Sequence, residues 1–188
     1  MIEFLKQCDR ELFLFLNGLH KPWLDQAMFL MTKAVFWIPV YIMLLYLIAK
    51  NYSVKVMFWS LVAIAVIIAL GDRISVMAFK DVFQRYRPTQ NLEIGHLVHV
   101  VNDYRGGMYG FVSSHATNFF SISTFSALLL RKRHPFIVPF LLVWASLICY
   151  TRIYLGVHYP GDILAGALLG MLIGFIIFRL FKKYILKT

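Results

Sequence analysis

Five stretches without a single Asp, Glu, Lys or Arg, residues 34–49, 56–71, 106–130, 135–151 and 163–178, occupy nearly half of this 188-residue chain. Inside hydrocarbon a backbone must satisfy its own N–H and C=O groups, so apolar runs of this kind fold as helices. A crossing takes about 20 residues. Most of the runs fall slightly short, and Lys33, Lys50, Lys55 and Arg179 at their ends can snorkel to complete them. The expected fold class is therefore all-α: an integral membrane helical bundle of five transmembrane helices, at about 27–49, 54–79, 113–130, 135–152 and 161–180. Composition agrees, with 60% hydrophobic and 15% charged residues and a mean hydropathy of +0.70. Soluble, disordered and disulfide-rich classes are excluded. Cys8 and Cys149 are expected to be unpaired, and residues 1–188 are expected to form one domain.

Residues 1–20 read differently. Leu5, Cys8, Leu12, Phe15 and Leu19 recur at steps of three and four, with Glu3, Lys6, Asp9 and Arg10 between them, the pattern of an amphipathic helix lying in the membrane interface. Lys21-Pro22-Trp23 should break it. No cleaved signal peptide is expected, because the start lacks a basic region leading into an apolar core and a small-residue cleavage site. Residues 80–112, with mixed charge, a proline and a Gly-Gly pair, should form an extramembranous loop. The net charge of +10 points in such a chain to topology and phosphate-bearing lipids rather than nucleic acid. One side would hold Lys50, Lys55, Arg131, Lys132, Arg133, Arg179, Lys182, Lys183 and Lys187 and no acidic residue. By the positive-inside rule that side is cytoplasmic, and the N-terminus and the 80–112 loop lie outside.

Three stretches gather polar groups at the outer span ends: Lys80 with Arg87-Pro88, Ser113-Ser114-His115, and Thr151-Arg152 with His158 and Asp162. Five alternating spans bring all three to one face, where a single pocket can hold them. Three cations without a carboxylate cluster suit a multiply charged anion, and arginine forks match the oxygens of phosphate. A serine pair at a helix start adds hydroxyls and free N–H groups. Two histidines in one phosphate pocket suggest a nucleophile and a general acid. Asp162 follows His158 by four residues, so if Pro160 starts a helix its carboxylate can take the imidazole N–H. Metal ligand sets are missing from this constellation, and no metal or cofactor is expected. His96 and His99 read as solvated loop histidines rather than zinc ligands. Asp72-Arg73 reads as an internal pair or as lining the route to the pocket, and Phe13, Phe15, Trp37, Tyr41, Phe119 and Phe120 as lipid-facing or packing aromatics.

Lys80 with six residues before Arg87-Pro88, then Ser113-Ser114-His115, then Thr151-Arg152 with five residues before His158 and three between His158 and Asp162, resembles the three-part signature of the type 2 phosphatidic acid phosphatases. That superfamily of lipid phosphate phosphatases also includes vanadium haloperoxidases and glucose-6-phosphatases. The resemblance implies a metal-independent phosphatase acting through a phosphohistidine. Lys80, Arg87 and Arg152 would hold the phosphate, Ser113 and the Ser114 N–H would bind its oxygens, His158 would attack, Asp162 would orient His158, and His115 would protonate the leaving group. The implied substrate is a lipid-linked phosphate or pyrophosphate at the outer, periplasmic or extracellular face of a bacterial inner or plasma membrane. Undecaprenyl diphosphate, phosphatidylglycerophosphate, phosphatidic acid and lipid A phosphates are all compatible. Val112-Ser113-Ser114-His115 departs from the family's usual Pro-Ser-Gly-His, removing a preset backbone and adding a side chain close to the phosphate. Thr151 replaces the usual serine and keeps the hydroxyl. The alternatives are a non-catalytic lipid-phosphate binding or transport protein and, less compatible with five apolar spans, a vanadium-dependent haloperoxidase.

Overall fold

The computed structural model describes residues 1–187. They form an all-α bundle of α1 (Ile2–Gly18), α2 (Pro22–Met31), α3 (Ile38–Asn51), α4 (Val54–Ile74), the short turn α5 (Asp81–Phe83), α6 (Ser114–Leu130), α7 (Ile137–Tyr154) and α8 (Pro160–Phe181). Four helical stretches are long and apolar enough to cross a membrane: Ala34–Asn51, Val54–Phe83, Ile137–Tyr154 and Pro160–Leu186. The protein is an integral-membrane helical bundle. The 17-residue α6 is shorter, yet it packs against α4, α7 and α8 and buries Phe119, Ile122, Phe125, Leu129 and Leu130.

The first apolar stretch differs from the expected span at 27–49. α2 stops at Met31, Thr32 and Lys33 interrupt it, and a 3₁₀ turn over Ala34–Trp37 leads into α3. Pro39 in the first turn of α3 favours a new start there, and Trp37 Nε1 closes the joint by donating to the Met31 carbonyl at 2.7 Å. The second stretch runs longer than expected. α4 continues through a π-helical turn, Ser75–Lys80, into α5, so Lys80 sits on a helix rather than at the start of a loop.

α6 and α8 meet along a glycine seam. Gly166, Gly170 and Gly174 recur every four residues, and a Cβ built on them would lie 2.7, 2.3 and 2.4 Å from the carbonyl oxygens of Ser113, Thr117 and Ser121. Only hydrogen side chains permit that approach, the small-residue packing by which helices associate where lipid offers no hydrophobic drive. The hydroxyls of Thr117 and Ser121 are satisfied within α6, by Ser113 O at 3.1 Å and Thr117 O at 2.7 Å.

The basic turns come together at one end of the bundle. There the Arg133 guanidinium donates to the Asn51 carbonyl, Asn51 Nδ2 meets His134 Nε2 at 2.8 Å, and Tyr52 donates to Leu129 O at 2.8 Å. At the other end α1 covers the bundle. Its expected apolar stripe is open, Leu5 and Phe15 being 60% and 64% exposed, but the opposite face is docked. Phe13 is fully buried against Tyr159, and the Asn17 amide accepts from His99 N–H at 2.8 Å and donates to Tyr154 O at 2.9 Å. His99 is not a solvated loop histidine: its Nε2 contacts Asp25 Oδ1 at 3.0 Å and its ring stacks on His20. His96 is exposed. Asp72 pairs with Asn118 Nδ2 at 2.8 Å rather than with Arg73, and Cys8 and Cys149 are free.

Candidate active site

The site forms where α6 and α8 begin and α7 ends. Ser113 caps α6, its Oγ accepting from Ala116 N at 3.4 Å, while its own N–H donates to Asp162 O at 3.1 Å and ties the two helix starts together. Pro160 sits in the first turn of α8, as its fixed φ favours. The chain between α7 and α8 turns back through Gly156 at φ +72°, where a Cβ would lie 2.5 Å from Val98. No L side chain fits there without strain, and the turn carries His158 into the bundle.

His158 is 2% exposed and Asp162 wholly buried. Nδ1 of His158 lies 3.5 Å from Asp162 Oδ2 and Nε2 lies 3.4 Å from Arg87 Nη1. One ring nitrogen thus faces a carboxylate and the other a cation. The first contact falls short of the expected hydrogen bond: His158 Nδ1 is left without a hydrogen-bond partner, and the Asp162 oxygens turn to other donors. Oδ2 accepts from Tyr159 N–H at 3.0 Å and Oδ1 from Arg85 Nη1 at 2.8 Å. Burial, then the positive charges of Arg87, Arg152 and Lys80, push the His158 imidazole well below its ordinary pKa, against the pull of the Gly110 carbonyl. The resting ring is neutral, and a neutral imidazole with Nδ1 toward Asp162 presents a lone pair at Nε2.

Each of the three cations is held by neutral oxygens. Lys80 Nζ donates to Ser114 Oγ at 2.6 Å, and that hydroxyl also meets Ser75 Oγ at 2.7 Å. The serine that departs from the family pattern therefore positions the lysine. Arg87 follows an antiparallel bridge between Tyr86 and Tyr109; its Nε donates to Tyr109 O at 3.1 Å and its Nη1 lies 3.4 Å from Val157 O. Burial, then the charge of Arg152, pushes its pKa below the usual guanidinium value, without removing its proton at any ordinary pH. Arg152, 2% exposed, donates to Thr32 Oγ1 at 2.5 Å and to Tyr104 Oη at 2.9 Å. His115, in the first turn of α6, is half-buried beside Phe119 and within electrostatic reach of Arg152, His158, Arg87 and Lys80. All eight residues singled out in the sequence lie in this region. No group of three or more His, Cys, Asp or Glu side chains among the described residues is arranged to hold a metal ion.

Four partners escaped the sequence reading: Arg85, Asp9, Thr32 and Tyr104. Arg85 looks in sequence like one more loop cation two places before Arg87, yet it bridges Asp162 and Asp9. Thr32 marks the polar break in the first apolar stretch, the only local signal it gives.

Comparison with known proteins bears on this arrangement. A family model described as the PAP2 superfamily matches residues 55–186. A lipid A 4'-phosphatase of Bacteroides thetaiotaomicron is 41% identical over 97% of this chain and 81% of its own. A lipid A 4'-phosphatase of Porphyromonas gingivalis is 31% identical over 96% and 75%. In fold the chain is similar to the crystal structure of a transmembrane PAP2-type phosphatidylglycerolphosphate phosphatase from Bacillus subtilis, with a TM-score of 0.67 at 21% identity over 96% of this chain and 87% of that one.

Proposed function

The chain belongs to the PAP2 superfamily and is a membrane lipid phosphatase, and from that premise we propose that it removes the 4'-phosphate of lipid A through a phosphohistidine. The observation that carries the substrate is the 41% identity to a lipid A 4'-phosphatase across nearly the whole chain. The chemistry rests on the site. A phosphate monoester enters among Lys80, Arg87 and Arg152, with Ser113 and the Ser114 N–H at the start of α6 as further donors. His158 Nε2 attacks phosphorus, a P–N bond forms, the P–O bond to the lipid breaks, and the electron pair leaves on the lipid oxygen. His115 gives that oxygen its proton. The imidazole, now cationic, lies against Asp162. Water then attacks phosphorus, its proton passes to His115, the P–N bond breaks onto His158, and inorganic phosphate departs. The anionic substrate supplies the negative charge that holds a proton on His115 among three cations.

In this reading α6 is the fifth span and residues 1–188 are one domain. The basic end faces the cytoplasm, and the site opens on the periplasmic or extracellular side, where α1 lies on the bilayer. The test is incubation of the purified protein with bisphosphorylated lipid A, undecaprenyl diphosphate, phosphatidylglycerophosphate and phosphatidic acid, reading released phosphate and product mass. The expected result is loss of one phosphate from lipid A, at the 4' position, at the highest kcat/KM. Faster turnover of any of the other three lipids refutes the substrate assignment. Cysteines introduced at positions 92 and 132 of a version lacking Cys8 and Cys149 should label selectively at 92 with an impermeant reagent on intact cells; the opposite pattern inverts the topology.

A further inference from the structure

α1 reaches the catalytic carboxylate. Asp9 Oδ2 accepts from Arg85 Nη2 at 2.7 Å, and the other arm of the same guanidinium donates to Asp162 Oδ1 at 2.8 Å. Asp9 Oδ1 accepts from Gly161 N–H in the first turn of α8 at 2.7 Å. A Cβ on Gly161 would stand 2.8 Å from Asp9 Oδ2, so the approach depends on that glycine. The Arg85 guanidinium lies 4.1 Å from the centre of the Tyr159 ring, and Phe13, one turn along α1 from Asp9, packs on the edge of the same ring.

We propose that Asp9, acting through Arg85, is a positioning residue for catalysis, which keeps the Asp162 carboxylate in place and a net negative charge behind His158. Arg85 facing Asp162 alone would cancel it. The imidazole would then acquire its positive charge on phosphorylation with nothing opposite. With Asp9 taking the other arm of the fork, the three groups carry two negative charges and one positive. One negative charge remains to answer the imidazolium, in a buried setting where such preorganised charge is most effective. The fork also fixes direction, since a planar guanidinium held at both ends cannot swing toward the incoming phosphate. α1 thus serves the reaction on one face and presents Phe4, Leu5, Leu12 and Phe15 outward on the other.

The inference rests on His158 being the attacking group, and the experiment separates the two ideas. The full chain in mixed micelles is assayed for dephosphorylated product from lipid A and from dioctanoyl phosphatidic acid by mass, with inorganic phosphate as inhibitor. Asp9→Asn should lower kcat about tenfold or more, with KM and inhibition by inorganic phosphate moving less than about threefold, because Lys80, Arg87 and Arg152 are untouched. Asp9→Glu should recover most of the loss. Arg10→Gln, which removes the neighbouring tie from α1 to Glu93, should stay within about twofold. Should Asp9→Asn not fold, Arg85→Lys reports the same coupling, since one ammonium cannot span two carboxylates; it too should lose kcat alone. Wild-type kcat in Asp9→Asn overturns the proposal. So does a joint loss of kcat and inorganic phosphate affinity, or an equal loss in Arg10→Gln, either of which means that α1 has merely come loose. An active His158→Ala would remove the reading beneath it, whereas an inactive His158→Ala beside a wild-type Asp9→Asn removes this inference alone.

Discussion

Gly170→Ala is the most informative single substitution in the bundle. The added Cβ would stand 2.3 Å from the Thr117 carbonyl oxygen, and real Cβ atoms do not come within 3.0 Å, so the contact must open by at least 0.7 Å. A backbone carbonyl in mid-helix cannot rotate aside, and Phe120 Cβ and Ser121 N at 3.1 Å close the other directions. α8 must therefore move away from α6. Overpacking of this kind costs about 1–3 kcal/mol. The displacement also reaches the site, because His115 lies two residues before Thr117 and Asp162 about 12 Å along α8 from Gly170 at 1.5 Å per residue. A shift approaching 1 Å between reacting groups costs on the order of a hundredfold in rate. We expect the melting temperature of detergent-solubilised protein to fall by several degrees, and kcat for phosphate release to fall about tenfold to a hundredfold at temperatures where the variant stays folded. Gly18→Ala is the control, since a Cβ there meets nothing within 4 Å; it should change stability by less than about 0.5 kcal/mol. Wild-type melting and turnover in Gly170→Ala would mean that the two helices are not in this close contact and that the seam does not set the spacing of the histidines.

Three further outcomes follow from the site. Arg87→Gln removes the charge that, after burial, most depresses the His158 pKa; the pKa should rise toward its ordinary value, and the acid limb of the kcat/KM profile should move to higher pH. Arg152→Lys keeps the charge but cannot reach both Thr32 and Tyr104, and should lose about tenfold or more in kcat/KM with lipid A, whereas near wild-type turnover would make Arg152 an anchor only. An aryl phosphate with an acidic phenol should partly rescue His115→Ala, whose missing proton such a leaving group does not need, and leave His158→Ala inactive; equal rescue of both would refute the phosphohistidine route.

The eight site residues were legible because their spacing joined to five apolar runs leaves few ways to place them. Ser113, Arg152 and Asp162 lie at helix ends and Lys80 within a turn of one, and alternating spans bring such ends together. What sequence did not disclose are the partners. Arg152 meets Thr32 across 120 positions and Arg85 meets Asp9 across 76, separations over which no local pattern operates. α1 shows the reason most clearly. Its apolar stripe is the exposed side, but Asp9 and Asn17 on the other face look like solvated residues until Arg85, Gly161 and His99 are seen to bond them. The break at Thr32 and Lys33 was hidden because a lysine beside an apolar run reads as a side chain snorkelling from the span rather than as a stop. The four-residue stride of Gly166, Gly170 and Gly174 is visible in sequence, whereas the carbonyls opposite it are not.

The resting site is built against its own stability. Lys80, Arg87 and Arg152 converge, and none is within 4.0 Å of a carboxylate among the described residues, because the carboxylates of Asp162 and Asp9 are both engaged by Arg85. Hydroxyls and carbonyls hold the three cations in direction without cancelling their charge. In the proposed reading a dianionic phosphate meets donors already oriented and uncompensated, which is how preorganised electrostatics lowers a barrier. The cost falls on the free protein, where like charges repel in partly dry surroundings. Lys80→Met should relieve it: the chain length is kept, Ser114 Oγ retains Ser75 Oγ as a partner, and one of three like charges disappears. Replacing a poorly compensated, half-buried charge by an apolar side chain stabilises by roughly 1 kcal/mol. Lys80→Met should therefore melt above the wild type in phosphate-free detergent, yet show no turnover and lose the rise in melting temperature that vanadate gives the wild type. A variant that melts below the wild type would show that the Lys80–Ser114 bond outweighs the repulsion, and that the three cations are a stable assembly rather than one held in tension for the phosphate.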